Sequence, residues 1–533
     1  MSNGKVTSRR EFLKVTVLGA AATSLLAACA PAAAPTPTTA PAKPAETPKP
    51  AAPPTTAPAQ ATPTPAAKPT EQAKPTAAPA AAAPTATTKP ETTRKMRQPN
   101  PATIPKASSG GLPQIELVVA SMAGPDANAH VRNAPRFTEY TKGKVKVRVE
   151  DVGRDAWASK LTTTMQSQSS AWDVVVSSGG LFLRGASSGW YVPMDQLMKN
   201  PELFNDQHYK LSDFVKPGLD AVTWEGKIFG LGQHLSAQML HYRADLLQKY
   251  GVQPPDAVEG WTFDQLADAC RKVKKGLAAD GKSDIWPMIF LMKTSNANVT
   301  ITYENITRSM GGKVYDERGI PTYNIPEGKA AIELVKSWMD EGLVSPGSLG
   351  YEYTDALELE RQGKVVMAGE WDTAAVELND PEKSPITAKT LQYTVYPYDP
   401  KFGAKHPRLY PSVWINSVSS FSKQREAAFA YCVWYTSPEI AYDYLMYGGG
   451  HSGRSSLLSD PEVLEAHRQY KAMLANFQGL APFPPLAQYD YLARTIMPAH
   501  LSAFFTGQKS AQKALDDAQK ESMDYLKSQG VKL

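Results

Sequence analysis

An α/β fold, a parallel sheet with crossover helices, is the architecture this sequence predicts. Two observations predict it. Short β-rich runs at 115–120, 145–149 and 172–176 alternate with stretches of helical apolar spacing, and the first and third runs end in Ser- and Gly-containing breaks. In such sheets ligands sit outside the carboxyl ends of the strands. At 533 residues the chain has room for two or three domains.

The elements follow in order. Ile115-Glu-Leu-Val-Val-Ala120 reads as a buried strand closed by Ser121-Met-Ala-Gly-Pro125, and the next helix carries Phe137 and Tyr140 on its apolar side. Val145-Lys-Val-Arg-Val149 alternates as a second strand. Asp155 can cap a helix whose Trp157, Leu161 and Met165 share one face. Trp172-Asp-Val-Val-Val176 is a third strand, breaking at Ser177-Ser178-Gly179-Gly180. The 124–126 and 177–180 loops then share one sheet edge, making Asp126, Ser177, Ser178 and Gly180 candidate ligand contacts, with plain loop capping as the alternative. Val222 to Leu231 forms an apolar hairpin about Glu225-Gly226, and Thr262 with Gln265 makes a capping box. Trp338 and Met339, and further on Trp434 and Tyr435, lie in helical stripes that belong to the core.

The leader has its own logic. Ser8-Arg-Arg-Glu-Phe-Leu-Lys14 precedes an apolar run from Val15 to Ala28 that is too short to span a bilayer and ends in small residues. The twin arginine resembles a twin-arginine (Tat) export signal, with an ordinary Sec signal or an anchor helix as the alternative. Leu26-Ala-Ala-Cys29 resembles a lipoprotein lipobox, which implies cleavage before Cys29 and lipid on its thiol. Residues 1–29 are thus expected to be a Tat-type lipoprotein signal. Residues 30–110 are expected to be a disordered Ala/Pro/Thr-rich linker, because 30–109 lack any aromatic residue or glycine with which to build a core. In extended polyproline form, at about 3.1 Å per residue, the sixty-odd residues from 30 to 93 would reach roughly 200 Å.

Charge excludes one class. Residues 1–110 hold 13 Lys+Arg and 4 Asp+Glu, leaving 44 basic and 48 acidic residues in the remainder. The formal +5 therefore belongs to the leader and tail, and the body, mildly acidic and without a cationic stripe, does not read as a nucleic-acid binder. Cys270 and Cys432 sit in helical apolar patterns and read as buried free thiols. No zinc spacing occurs, and no cofactor or metal is expected.

Several segments carry a family resemblance. The 222–231 hairpin, Met239-Leu-His-Tyr-Arg-Ala-Asp-Leu-Leu247, Pro254-Pro255 and Trp261-Thr-Phe-Asp-Gln-Leu266 follow one another. Then come Gln362-Gly-Lys-Val-Val-Met-Ala-Gly-Glu-Trp371, Trp414 to Phe429, Gly450-His-Ser-Gly-Arg454 and Thr506 to Leu515. This series resembles the extracellular solute-binding proteins (family 1) of carbohydrate ABC importers, related to maltose-binding protein. Gly232 and Arg243 stand where that family usually has Pro and Asn. The resemblance implies a periplasmic-binding-protein-like type II fold, two α/β lobes around a hinged cleft, in a solute-binding body over 111–533. Lobe 1 would take about 112–236 and 408–447, lobe 2 about 237–407 and 448–533. It further implies a monomeric, lipid-anchored receptor on the outer face of the bacterial cytoplasmic membrane, with a carbohydrate ligand and an ABC permease as its partners.

Sugars need aromatic faces for their CH surfaces and polar groups for hydroxyls that otherwise cost about 1–3 kcal/mol each to bury. Trp371 and Asp372 follow a strand where the family places an aromatic towards ligand. Trp414 opens the strand returning to lobe 1, His234 and Ser236 sit by the hinge, and Arg454 matches the family's arginine near the cleft. Tyr489 or Tyr491 would present a ring to the sugar. Each has a bland alternative as a core, capping or ion-pairing residue. A peptide, polyamine or metal-chelate receptor on the same fold is the alternative function, with a structural surface lipoprotein as a third. An enzyme would need a carboxylate pair or a nucleophile motif, and neither Gly-x-Ser-x-Gly nor His-Glu-x-x-His occurs.

Overall fold

The computed structural model describes residues 96–446 and 450–533. The expected signal (1–29, with Cys29) and the linker up to residue 95 lie outside the described residues. Packed structure starts before Gly111, inside the span expected to be disordered. Short helical turns Pro101–Thr103 and Pro105–Ser108 bury Ile104 and Ala107 fully, and Lys106 N–H bonds Glu202 O at 2.8 Å. Two apolar residues among prolines are enough to seat this strap on a preformed core.

Strands β1 (Ile115–Met122), β2 (Val145–Val152) and β3 (Val174–Ser178) pair in parallel, β1 in the centre, with Ile115 opposite Val145 and Met122 opposite Val152. A short hairpin follows, β4 (Thr223–Trp224) and β5 (Lys227–Ile228). Its turn residues Glu225 and Gly226 have φ of 47° and 75°, the two left-handed positions of a type I′ turn. Then come β6 (Leu231–Ser236), β7 (Gln238–Arg243), β8 (Trp286–Phe290), β9 (Val365–Trp371), β10 (Leu391–Thr394) and β11 (Ser412–Val418). They complete two separate sheets, β2-β1-β3-β11-β6 and β10-β7-β9-β8.

The sheets are mixed, which corrects the all-parallel expectation. β11 runs antiparallel to both β3 and β6 because it enters from the far side, having come from the other sheet. The chain first crosses between sheets at Ala237, which alone separates β6 from β7, and returns over 395–411. Both faces of the larger sheet are buried. Val174 and Val176 pack with Phe137, Tyr431 and Trp434, while Val175 faces the opposite core with Trp157, Leu161 and Phe182.

The helix Arg154–Gln166 buries Trp157, Leu161 and Met165 as the spacing requires, but its N-cap is Gly153, two residues before the expected cap Asp155, which lies inside the first turn. Thr262 and Gln265 form the reciprocal capping box of the helix Phe263–Ala279. Trp338, Trp434 and Tyr435 are core residues. Cys270 and Cys432 are free and buried. Among the described residues, no helix is long and apolar enough to cross a membrane.

Candidate functional site

The carboxyl ends of β1 and β3 face the second sheet across a cavity of about 130 Å³. After β1, the helix Pro125–Tyr140 begins, placing Asp126 in its first turn, where the exposed amides favour a carboxylate. Asp126 Oδ1 accepts from Gln233 Nε2 and Tyr444 OH, both at 2.7 Å, and faces His234 Nδ1 at 3.3 Å. Burial alone would raise its pKa; the neighbouring His234 and these hydrogen bonds outweigh burial and hold the carboxyl below its usual range.

Beyond β3 no loop intervenes. The strand runs through Ser178 and the helix Gly179–Ser187 starts at the next residue. Gly180 is where this helix meets the helical turn Tyr489–Tyr491 from the other half: a Cβ there would fall 2.8 Å from Asp490 Cα. Only hydrogen fits, so glycine sets how closely the halves approach. They meet again where Arg154 Nε donates to Glu352 Oε2 at 3.3 Å, its guanidinium 5.7 Å from the Tyr353 ring.

The cavity brings together eight of the twelve residues expected at a ligand. Asp126, Ser178, Gly180, His234, Ser236 and Trp414 come from the larger sheet and its helices, Trp371 and Tyr489 from the opposite half. Tyr489 is held from behind. Its hydroxyl donates to Glu304 Oε1 at 3.2 Å, a fully buried carboxylate that also takes Tyr315 OH at 2.9 Å and pairs with Arg308. Burial raises the Glu304 pKa. Among the described residues, three further buried atoms on cavity-lining side chains, Trp157 Nε1, His234 Nε2 and Tyr353 OH, have no hydrogen-bond partner.

The other four lie elsewhere, each for a physical reason. Ser177 sits on the opposite face of β3 from its neighbour Ser178, and its Oγ meets Tyr191 OH at 3.2 Å. Asp372 is fully buried at the crossing: it accepts from Ser236 Oγ and, at 3.2 Å, from Ala237 N, and its own N–H bonds Ala237 O. Arg454 is sealed between the Tyr209 and Phe214 rings, 4.7 and 4.2 Å from their centres, and donates to Thr436 O, Lys210 O and Asp213. Tyr491 is 43% exposed and stacks on Tyr525 with centroids 4.2 Å apart, facing a different groove.

Sequence reasoning missed Arg154, Asn298, Tyr410, Asp490 and Arg494, all of which line the cavity. Arg154 carried a usable signal, since it follows β2 on the same strand-end edge as Asp126 and Ser178. Asn298 and Tyr410 have none, because their positions depend on helix and loop packing. Among the described residues, no group of three or more His, Cys, Asp or Glu could hold a metal ion.

The comparisons with known proteins agree with this geometry. The sequence pattern of the bacterial extracellular solute-binding protein family matches residues 120–442. A mannitol-binding protein of Pseudomonas aeruginosa is 22% identical over 401 residues, 70% of this chain and 84% of that one. A probable amino-acid ABC transporter periplasmic-binding protein, y4oP of Sinorhizobium fredii, is 25% identical over 234 residues, 43% of this chain and 51% of that one. The chain thus spans about half the length of that curated relative. In fold, the maltose-bound T. maritima MalE3 superposes with a TM-score of 0.68 at 20% identity, covering 77% of this chain and 100% of that one. With a cavity between two α/β halves and a family pattern over most of the body, the chain belongs to the bacterial extracellular solute-binding proteins.

Proposed function

We propose that this protein is a lipid-anchored extracytoplasmic receptor that binds a sugar or polyol and delivers it to an ABC permease. One observation carries the reading. The cavity between the sheets combines the aromatic side chains of Trp371, Trp414 and Tyr489 with the Asp126 carboxylate and three buried donor or acceptor atoms that have no partner among the described residues. Rings cover the CH face of a sugar, and the polar atoms replace the water its hydroxyls lose.

Size supports a small ligand. A cavity of about 130 Å³ is close to the roughly 150 Å³ that takes up one benzene-sized molecule, the scale of one sugar unit or alditol. The mannitol-binding relative points the same way. Ala237, pinned by Asp372, serves as the hinge between lobe 1 (about 112–236 and 408–447) and lobe 2 (about 237–407 and 448–533), so ligand touching both lobes favours closure. Export by the leader and a lipid on Cys29 place the receptor beside its permease on the outer face of the membrane.

An amino acid is the second reading. It is favoured by the y4oP relative and by a cavity lined by both Asp126 and Arg154. Thermal shift against sugars, alditols and amino acids separates the two. A ligand at 100 times its dissociation constant adds about 2.7 kcal/mol to stability. A shift with hexoses or hexitols supports the sugar reading; a shift with amino acids alone overturns it.

A further inference from the structure

A second, wider groove of about 530 Å³ lies beside the ligand cavity. It too is built from both halves: the helices Arg154–Gln166 and Gly179–Ser187 form one wall, Tyr491 and the helix Ala511–Ser528 the other. The two spaces share two lining residues among those described, Asp490 and Arg494. These lie four residues apart, and Arg494 Nε donates to Asp490 Oδ1 at 2.7 Å. The pair is therefore the partition between cavity and groove.

The partition is held firmly. Its side chains are only 24% and 11% exposed for Arg494 and Asp490, and the Asp490 backbone is pressed against Gly180. Arg494 sits in the segment Leu492–Ile496, which is π-helical, a conformation concentrated at functional positions. Beyond it, the groove has the lining that suits a saccharide. Ser159 and Ser188 supply hydroxyls, Gln488 and Gln529 amides, and Tyr491 a half-exposed ring braced by Tyr525.

The geometry points to a length filter: the Asp490–Arg494 pair restricts the cavity to a single sugar unit or alditol by closing it off from a groove able to hold the next unit of a longer saccharide. A chain extended towards the groove meets the guanidinium of Arg494. Without that side chain the cavity opens into the groove and a second unit is accommodated. The inference rests on the sugar reading above.

Titration calorimetry on the full chain tests it, using a hexose, its hexitol and the corresponding di- and trisaccharides as probes. Wild type is expected to favour the one-unit ligands. Arg494→Ala should move the affinity ratio at least tenfold towards the trisaccharide, and adding Ser159→Trp, an exposed position that fills the groove, should return the ratio towards its starting value. Arg494→Gln, shorter and uncharged, serves if the alanine variant fails to fold. An unchanged ratio in whichever variant melts cooperatively overturns the filter, as does a wild type that binds the trisaccharide as tightly as the hexose. If the wild type binds no saccharide of any length, the sugar reading falls and takes the filter with it, an outcome distinct from the other two.

Discussion

Asp126 and Trp371 face the same cavity from opposite halves, and different physics keeps each in place. Asp126 is fixed by three groups converging on one of its oxygens, Oδ1. Trp371 ends β9 with its side chain partly open, so its ring is available for stacking. Trp371→Ala should weaken sugar binding about tenfold or more while shifting the ligand-free melting transition little, measured by calorimetry and thermal denaturation. A large drop in ligand-free stability would instead make Trp371 part of the core. The contrast with Arg454 is instructive. Its short motif gave it a place near the cleft, yet its guanidinium is buried between two rings. A motif locates a residue along the chain, whereas the direction of its side chain depends on partners such as Tyr209 that lie far away in sequence.

Among the elements, the crossing at Ala237 depends on a carboxylate from another strand. Asp372 accepts from both Ser236 Oγ and Ala237 N, so losing it leaves two buried donors without acceptors. Asp372→Ala should lower the unfolding free energy by about 2–4 kcal/mol in urea titration, and Asp372→Asn, which retains one acceptor, by less. The strands, the hairpin and the capping box were legible in the sequence because their signals are local: alternation, a Glu-Gly turn, a Thr three residues before a Gln. The antiparallel entry of β11 was not. Strand direction depends on where the chain has been, and the excursion through the second sheet leaves no periodic trace. The strap at 101–108 was hidden too, because two buried residues, Ile104 and Ala107, cannot outweigh the surrounding prolines in a compositional reading.

For the molecule as a whole, enclosed histidines contribute to the response to acid. His130 is fully enclosed, with Tyr431 OH and Gln233 Oε1 each 2.8 Å from its ring nitrogens. Burial pushes its pKa down to about 4, against smaller opposing effects of Gln233 and Asp126. His467 is likewise pushed down to about 4 by burial, with His451 adding to it. The unfolded chain thus binds more protons than the native one, and stability falls as the pH drops from about 6.5 towards 4. For His130 alone this amounts to about 3 kcal/mol. Chemical denaturation across that range should show the loss, and His130→Gln should flatten the pH dependence; an equally steep profile in the variant would exclude His130 as its source.

The strap also has a mechanical consequence. Residues 97–108 are fastened to the half that contains the larger sheet: Arg97 N–H bonds Asp443 at 2.7 Å, its guanidinium lies 3.4 Å from the centre of the Tyr442 ring, and Lys106 N–H bonds Glu202 O. A pull applied to the chain ahead of this point is therefore borne by those attachments and by one half of the body. Such a load does not pass through the Ala237 crossing between the two sheets.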